Sequence, residues 1–144
     1  VFISSLHQTK ETVKVYKYDM NTKTSVMLFS FQQNSNFPPS LSVSAQYIAV
    51  TDKDNNRLNL YNRRSEVVTN KKLSGLKMIY NLLFMPDGCF LVTGWDNGKY
   101  TINKYSRASE EEEPVLIWSC HQSPSLPVCG VAVDERGLIY VSGV

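Results

Sequence analysis

Leu91-Val92-Thr93-Gly94 is the stretch of sequence that decides the fold, because segments of the same kind recur along the chain. Each copy has two apolar or aromatic residues, then a hydroxyl residue, then a small or turn-forming residue. The other three copies are Phe2-Ile3-Ser4-Ser5, Ala49-Val50-Thr51-Asp52 and Tyr140-Val141-Ser142-Gly143. The second residues of the four copies are 47, 42 and 49 positions apart along the chain. A fixed period of this length is the signature of a repeat protein.

A second series of apolar segments follows the first three copies and has the same period. Its members are Val15-Tyr16-Lys17-Tyr18-Asp19, Leu58-Asn59-Leu60-Tyr61-Asn62 and Ile102-Asn103-Lys104-Tyr105-Ser106. The shared tyrosines are spaced by 43 and 44 residues. Two independent series with one period are hard to explain by chance.

Turn signals separate these segments. Met85-Pro86-Asp87-Gly88 and Asp134-Glu135-Arg136-Gly137 each precede a member of the first series, and Pro-Asp-Gly favours a turn. Asp96-Asn97-Gly98 joins the first series to the second, and Asn-Gly suits a tight hairpin. No window has the apolar period of an amphipathic helix. Each repeat of about 45 residues therefore predicts four short antiparallel strands.

This pattern predicts an all-β chain made of β-propeller blades, each a four-stranded antiparallel sheet. We place the blade segments at about 1–31, 41–70, 80–119 and 129–144, so that residues 1–144 form a partial β-propeller. They hold the last three strands of one blade, two whole blades and two strands of a fourth. We expect ring closure by further blades of the same chain or by a second copy. Equivalent positions between blades should bury Val50, Val92 and Val141.

The composition bounds the class of protein. Apolar residues make up 42% and charged residues 19%, as in ordinary globular domains. The formal charge of +2 is far from the strong basic excess of most nucleic-acid binders. The cysteines Cys89, Cys120 and Cys129 are an odd set, which favours a reducing compartment and hence a cytoplasmic location. No apolar run approaches the roughly 20 residues that span a bilayer, so we expect no membrane partner.

Two of the repeats resemble NHL repeats. The family pattern is Gly-Ile-Ala-Val-Asp, a Gly turn, an Ile-Tyr-Val-Ala-Asp strand and an Asn-Arg-Ile-x-Val-Phe strand. Residues 130–141 are similar to its first part, and Ile48-Ala49-Val50-Thr51-Asp52 with Asn56-Arg57-Leu58-Asn59-Leu60-Tyr61 resembles the rest. The resemblance implies a six-bladed propeller like those of tripartite-motif proteins, which binds RNA or protein. The ubiquitin-ligase activity of those proteins belongs to a RING domain, which these residues do not contain.

In a propeller, the loops from strand 2 to strand 3 and from strand 4 to the next blade share one face, called here the loop face. The candidate binding residues on it are the cations and aromatic residues Lys53, Arg57, Lys71, Lys72, Lys77, Trp95 and Phe37. Cations interleaved with aromatic rings suit single-stranded RNA, because charge follows the backbone and rings stack on bases. An ordinary solvated surface has a similar composition. We expect an interaction module that binds a protein partner or single-stranded RNA, and the near-neutral charge favours protein.

The opposite face is expected to carry Glu110-Glu111-Glu112-Glu113, with Arg63, Arg64 and Arg107 nearby. Adjacent carboxylates repel one another, so a hydrated loop is the first interpretation and a docking surface for a basic partner is the second. This run would repel phosphate, which leaves the loop face for any nucleic acid. Trp95 either anchors an interface or folds back over its own hairpin.

We predict no enzyme, catalytic residue, cofactor or metal. Cys120-His121 lacks companions at zinc-ligand spacing, and no Gly-x-Ser-x-Gly motif occurs. The alternative is a propeller hydrolase or lyase with a metal in the central channel. Asp52 and Asp134 are its recurrent candidate ligands, and two carboxylates do not make a convincing cage. A third interpretation, a structural spacer in an extracellular receptor, would favour glycosylation sequons or paired cysteines, and neither occurs.

Overall fold

A computed structural model of the chain describes residues 2–7, 12–33, 38–53, 55–122 and 128–143. For residues 2–7, 122 and 129 it describes the backbone alone. These residues form thirteen β-strands and contain no helix. The all-β class predicted from the repeats and turn signals is therefore confirmed for the described residues.

The strands form four antiparallel sheets, numbered in chain order. Sheet 1 consists of β1 (Phe2–His7), β2 (Thr12–Asp19) and β3 (Thr24–Gln32). Sheet 2 consists of β4 (Leu41–Val43), β5 (Tyr47–Asp52), β6 (Arg57–Asn62) and β7 (Val68–Lys72). Sheet 3 consists of β8 (Met78–Phe84), β9 (Phe90–Asp96), β10 (Lys99–Tyr105) and β11 (Leu116–Gln122). Sheet 4 consists of β12 (Val128–Val133) and β13 (Ile139–Gly143).

Within every sheet, the strands lie side by side in the order of the sequence. Within the ranges that the structure describes, the sheets have three, four, four and two strands, as predicted. The first strands of sheets 2, 3 and 4 are neighbours, since β4 contacts β8 and β8 contacts β12. No sheet among the described residues closes into a ring.

The hairpins form where the turn chemistry predicts them. Asn97 and Gly98 have φ angles of +47° and +82°, and a two-residue hairpin loop of this kind requires positive φ at both positions. Between β8 and β9, the Gly88 N–H donates to the Met85 carbonyl at 3.0 Å, and the Cys89 N–H donates to the Asp87 carboxylate at 2.9 Å. Gly88 has a φ of +83°, which a residue with a side chain rarely adopts.

The core lies between successive sheets. The central strand β5 is buried along its whole length because its alternate side chains face different neighbours. Ile48 and Val50 pack with Val13 and Val15 of sheet 1. On the other side of β5, Ala49 belongs to the cluster that joins sheets 2 and 3. A third cluster joins sheets 3 and 4.

The predicted burial is confirmed for Val50 and Val92, which are both fully buried. It is wrong for Val141, whose side chain is 47% exposed. Val141 lies on β13, and β12 is the only described strand that pairs with β13. Among the described strands, β13 therefore lacks the second neighbouring strand that β5 and β9 have in β6 and β10.

Candidate functional site at the ends of sheets 2 and 3

Arg57 and Lys72 are brought together by the pairing of two strands. Arg57 begins β6 and Lys72 ends β7, and the two residues are directly opposite in the register. The Arg57 guanidinium donates to the side-chain oxygen of Asn70 and, at 3.4 Å, to the Asn70 carbonyl. Lys53 lies in the turn that precedes β6, where burial lowers the pKa of its ammonium group. Three of the predicted cations thus lie at one end of sheet 2.

Lys77 and Trp95 form a second group at the same end of sheet 3. The Lys77 N–H donates to the Trp95 carbonyl at 2.9 Å, and Lys77 Nζ donates to Asn97 Oδ1 at 2.8 Å. The Trp95 ring packs edge-to-face on the ring of Tyr100, its partner across the hairpin, with ring centroids 4.7 Å apart. Of the two interpretations of Trp95, the structure supports the ring that folds back over its own hairpin.

Residues 73–77, which connect sheet 2 to sheet 3, are held by side chains of β10. The Tyr105 hydroxyl donates to the Ser74 carbonyl at 2.5 Å, and Asn103 Nδ2 donates to the Gly75 carbonyl at 3.2 Å. Ser119 Oγ donates to Asn103 Oδ1 at 2.6 Å. Burial raises the pKa of Tyr105 to about 12, although the hydrogen bond with Asn103 acts in the opposite direction.

Sequence reasoning missed this role of Asn103 and Tyr105. The signal was present, since Asn-x-Tyr occurs in both complete sheets, at Asn59-Leu60-Tyr61 and at Asn103-Lys104-Tyr105. The tyrosines were used to find the period, and the accompanying asparagines were not interpreted.

Lys71 does not belong to the exposed surface. Its side chain is 5% exposed, and its Nζ donates to the backbone carbonyl of Glu110 at 2.5 Å. Alternation along β7 explains the difference between neighbours, because Lys71 points toward sheet 3 and Lys72 points toward solvent. The prediction that Lys71 lies exposed on the loop face was wrong.

The acidic run was expected on the face opposite the loop face. Glu110 agrees with this expectation because its partner Asn62 ends β6, but the expectation is wrong for Glu113, which lies beside Lys72 at the other end of sheet 2. Residues 106–115 join β10 to β11 and reach back to sheet 2. There the Asn62 side-chain amide donates to the Glu110 carboxylate, and the Lys72 N–H donates to Glu113 Oε2 at 2.7 Å. Glu111 and Glu112 are exposed, and their N–H groups donate to Ser109 Oγ.

A cleft of about 610 Å³ lies where the loop of residues 106–115 meets sheet 2. Its lining combines two cations and one carboxylate with apolar side chains, namely Arg57, Lys72, Ser74, Glu113, Pro114, Val115 and Leu116. A binding surface for a charged and partly apolar ligand needs this mixture. We call this feature the rim cleft.

A larger groove of about 730 Å³ lies among the turns that follow β4, β8 and β12. Some of its polar groups have partners in or near their own turns. Arg63 Nη1 donates to the Ser44 carbonyl at 2.8 Å, and the Arg107 side chain lies against Gly88. The Asp134 carboxylate accepts the N–H groups of Arg136 and Leu138. The two linings differ in charge, because cations outnumber carboxylates in the rim cleft and carboxylates outnumber cations in the larger groove.

The carboxylates of the two candidate metal ligands, Asp52 and Asp134, accept hydrogen bonds from residues of their own turns. The Asp52 carboxylate accepts from Asn55 Nδ2 at 3.0 Å and 3.3 Å. The hydrogen bonds from the Leu138 and Arg136 backbones lower the pKa of Asp134. Within the described ranges, no three His, Cys, Asp or Glu side chains could jointly hold a metal ion. Phe37 lies outside the described residues.

No family model and no curated protein matches the chain. Among solved structures, it is similar to a protein of unknown function from Bacteroides caccae, with 13% sequence identity and a TM-score of 0.58. The match covers 97% of this chain and 49% of that one, so the chain spans about half the length of its structural neighbour. At this identity the likeness shows the fold alone. In the described part of the chain, no helix has the length and apolar character needed to cross a membrane.

Proposed function

We propose that this chain is part of a β-propeller that binds a protein partner through the rim cleft. The rim cleft carries the proposal, because it joins Arg57 and Lys72 to the apolar side chains of Pro114 and Val115. Arginine and apolar anchors surrounded by polar groups are the usual composition of a protein-binding surface.

The architecture supports the propeller part of the proposal. Each complete sheet has four antiparallel strands in sequence order, and the first strands of sheets 2, 3 and 4 are neighbours. This is the arrangement of propeller blades. A six-bladed ring of the NHL type would need further blades of the same chain or a second copy. A structural neighbour about twice as long is compatible with the first alternative.

A protein partner explains the surface better than single-stranded RNA. Lys71 is buried, which removes one of the predicted phosphate contacts. The Trp95 ring is packed edge-to-face on the ring of Tyr100, so Trp95 already has an aromatic partner within its own hairpin. With Glu113 beside Arg57 and Lys72, the lining of the rim cleft has one net positive charge, which suits a short acidic segment better than an extended phosphate backbone.

A central metal site for a propeller hydrolase or lyase has less support. Asp52 and Asp134 each accept hydrogen bonds within their own turns, so neither carboxylate is directed at a shared ligand. A cytoplasmic location belongs to the proposal because of the odd cysteine count. Our proposal is therefore that the chain acts as an interaction module and not as an enzyme.

The test compares two double variants of the full-length protein in quantitative capture from an isotope-labelled lysate. Arg57→Glu with Lys72→Glu reverses the charge of the rim cleft. Lys23→Glu with Arg64→Glu is the control, since both side chains are exposed in other turns. We expect the first variant to reduce capture of specific partners about tenfold and the control to retain it.

Equal capture by both double variants would contradict the proposal. A parallel titration with a single-stranded RNA oligonucleotide at several salt concentrations tests the other class of partner. If the rim-cleft variant weakens RNA binding and flattens its salt dependence while protein capture is unchanged, the ligand is RNA.

A further inference from the structure

The strand β11 forms the outer edge of sheet 3 and continues from the rim cleft. Val115 and Leu116 line the cleft, and Leu116 is the first residue of β11. In the described part of the chain, β10 is the only strand that pairs with β11. Among the described residues, the other edge of β11 has no ladder of hydrogen bonds to a second strand, which makes it an edge strand there.

The sequence of β11 lacks the usual protection of an edge strand. Its seven residues, Leu-Ile-Trp-Ser-Cys-His-Gln, include no Lys, Arg, Asp, Glu or Pro. Ile117 is 53% exposed and Trp118 is 37% exposed. The outermost strand of sheet 2 differs, because β7 is five residues long and carries Lys71 and Lys72. Charges and short length are the devices that prevent an edge from pairing with another chain.

We propose that β11 accepts an extended segment of a partner protein as a fifth, antiparallel strand of sheet 3, with acidic side chains of that segment entering the rim cleft. This inference rests on the proposed function and names the partner's chemistry. Backbone hydrogen bonds to the edge supply affinity, and side-chain contacts supply selectivity, as in other cases of strand addition.

Charge determines the expected sequence and direction of the segment. The rim cleft has two cations, Arg57 and Lys72, and one carboxylate, Glu113, that already accepts a backbone N–H group. An acidic side chain is the complementary group. Antiparallel pairing is slightly more stable than parallel pairing, and β11 runs away from the cleft. The acidic residues therefore lie at the C-terminal end of the segment, after residues that alternate apolar and polar.

A second copy of this chain fits the edge less well. Two copies that paired their β11 strands in antiparallel fashion would bring Gln122 of one copy near Leu116 of the other. Since β11 contains no acidic residue, the rim cleft would receive no complementary charge.

The probe is a synthetic peptide of about eight residues that alternates Val and Thr and ends in a pair of Glu residues. One control peptide places the Glu pair at the N-terminus. Another carries methyl groups on alternate backbone nitrogens, which removes donors without changing side chains. Binding to the full-length protein is measured by fluorescence anisotropy of labelled peptide.

We expect the first peptide to bind at least about tenfold more tightly than either control peptide. Ile117→Lys should weaken its binding about tenfold by placing a charge on the edge. Val26→Lys is the matched protein control, because Val26 is 61% exposed on β3, the outermost strand of sheet 1. It should bind the first peptide like the unmodified protein.

Equal affinity for the methylated peptide, equal effects of Ile117→Lys and Val26→Lys, or no binding of the first peptide would each overturn the strand-addition proposal. The proposed function has a separate readout. If charge reversal at Arg57 and Lys72 reduces partner capture while backbone methylation has no effect, the rim cleft binds protein without strand addition. If charge reversal leaves partner capture intact, the proposed function fails, whatever the peptides show.

Discussion

Lys71 Nζ lies 2.5 Å from the backbone carbonyl oxygen of Glu110, and this contact links sheet 2 to the loop between β10 and β11 of sheet 3. A buried ammonium group without a partner would be costly, so the carbonyl compensates part of its desolvation. The neighbouring Lys72 N–H donates to the Glu113 carboxylate, which fixes the same loop at a second point. Residues 71–72 and residues 110–113 therefore hold sheet 2 and the loop of sheet 3 in contact.

Lys71→Met tests this contact because methionine keeps most of the aliphatic chain and removes the ammonium group. We expect the free energy of unfolding to fall by about 1–3 kcal/mol, since the Glu110 carbonyl loses a charged donor. Lys72→Met is the control, because the Lys72 side chain is exposed and the substitution retains its N–H group. Urea denaturation of the full-length protein measures both. Equal stability of the two variants would show that the ammonium group contributes nothing.

Val92→Ala should lower the free energy of unfolding by about 1–3 kcal/mol through loss of packing and formation of a cavity. Val92 is fully buried in the cluster between sheets 2 and 3. Val141→Ala is the matched control, and it should have a much smaller effect because Val141 is about half exposed. Thermal and urea unfolding measure the difference. A larger effect at Val141 would mean that β13 is covered by another part of the full-length protein.

Gly94→Ala should destabilise sheet 3. A Cβ atom at Gly94 would lie 2.2 Å from the Met78 carbonyl oxygen and 2.9 Å from a methyl group of Leu76. The backbone of β8 or β9 must move to make room, and overpacking of this kind costs about 1–3 kcal/mol. Gly98→Asn is the control, since no atom lies within 4 Å of that Cβ position and Asn tolerates positive φ. If Gly94→Ala is as stable as Gly98→Asn, the close approach of β8 and β9 is not required.

Tyr105 should make stability fall at alkaline pH. Its folded-state pKa of about 12 lies above its value of 10.0 without the protein environment. The folded state therefore holds the proton more tightly, so the contribution is complete below pH 10 and is lost as the pH rises toward 12. Its size is on the order of 2 kcal/mol. Burial raises the pKa of Tyr61 and Tyr80 as well, so these residues act in the same direction.

Tyr105→Phe should flatten the decrease in unfolding free energy between pH 10 and 12, as measured by urea denaturation across that range. It should also lower stability at neutral pH, because the Ser74 carbonyl loses its donor. Tyr18→Phe is the control, because Tyr18 is the equivalent tyrosine of the first repeat and its substitution also removes one phenol. An unchanged alkaline slope in the Tyr105→Phe variant would contradict the assignment to Tyr105.

The number of strands in each sheet was predictable because its causes are local. Period-two alternation places Val50 and Val92 inside, and Asn97-Gly98 requires a hairpin wherever that pair stands between two strands. Such signals depend on residues a few positions apart. They specify strands, turns and the order of strands within a sheet without information about the neighbouring sheets.

The placement of the charged residues depends on contacts between residues far apart in the sequence. Lys71 meets Glu110 and Lys72 meets Glu113 because a long loop of sheet 3 returns across sheet 2, and no local pattern specifies that path. The same holds for Asn103, whose amide reaches the connection at Gly75.

The sequence by itself determined the all-β class, the strand order and the burial of the central strands, through alternation and turn chemistry. The packing of sheet against sheet decided which cation is buried and which carboxylate borders the rim cleft. Long polar side chains reach several ångströms from their own strand, so their partners are set by the neighbouring sheet and not by the adjacent residues.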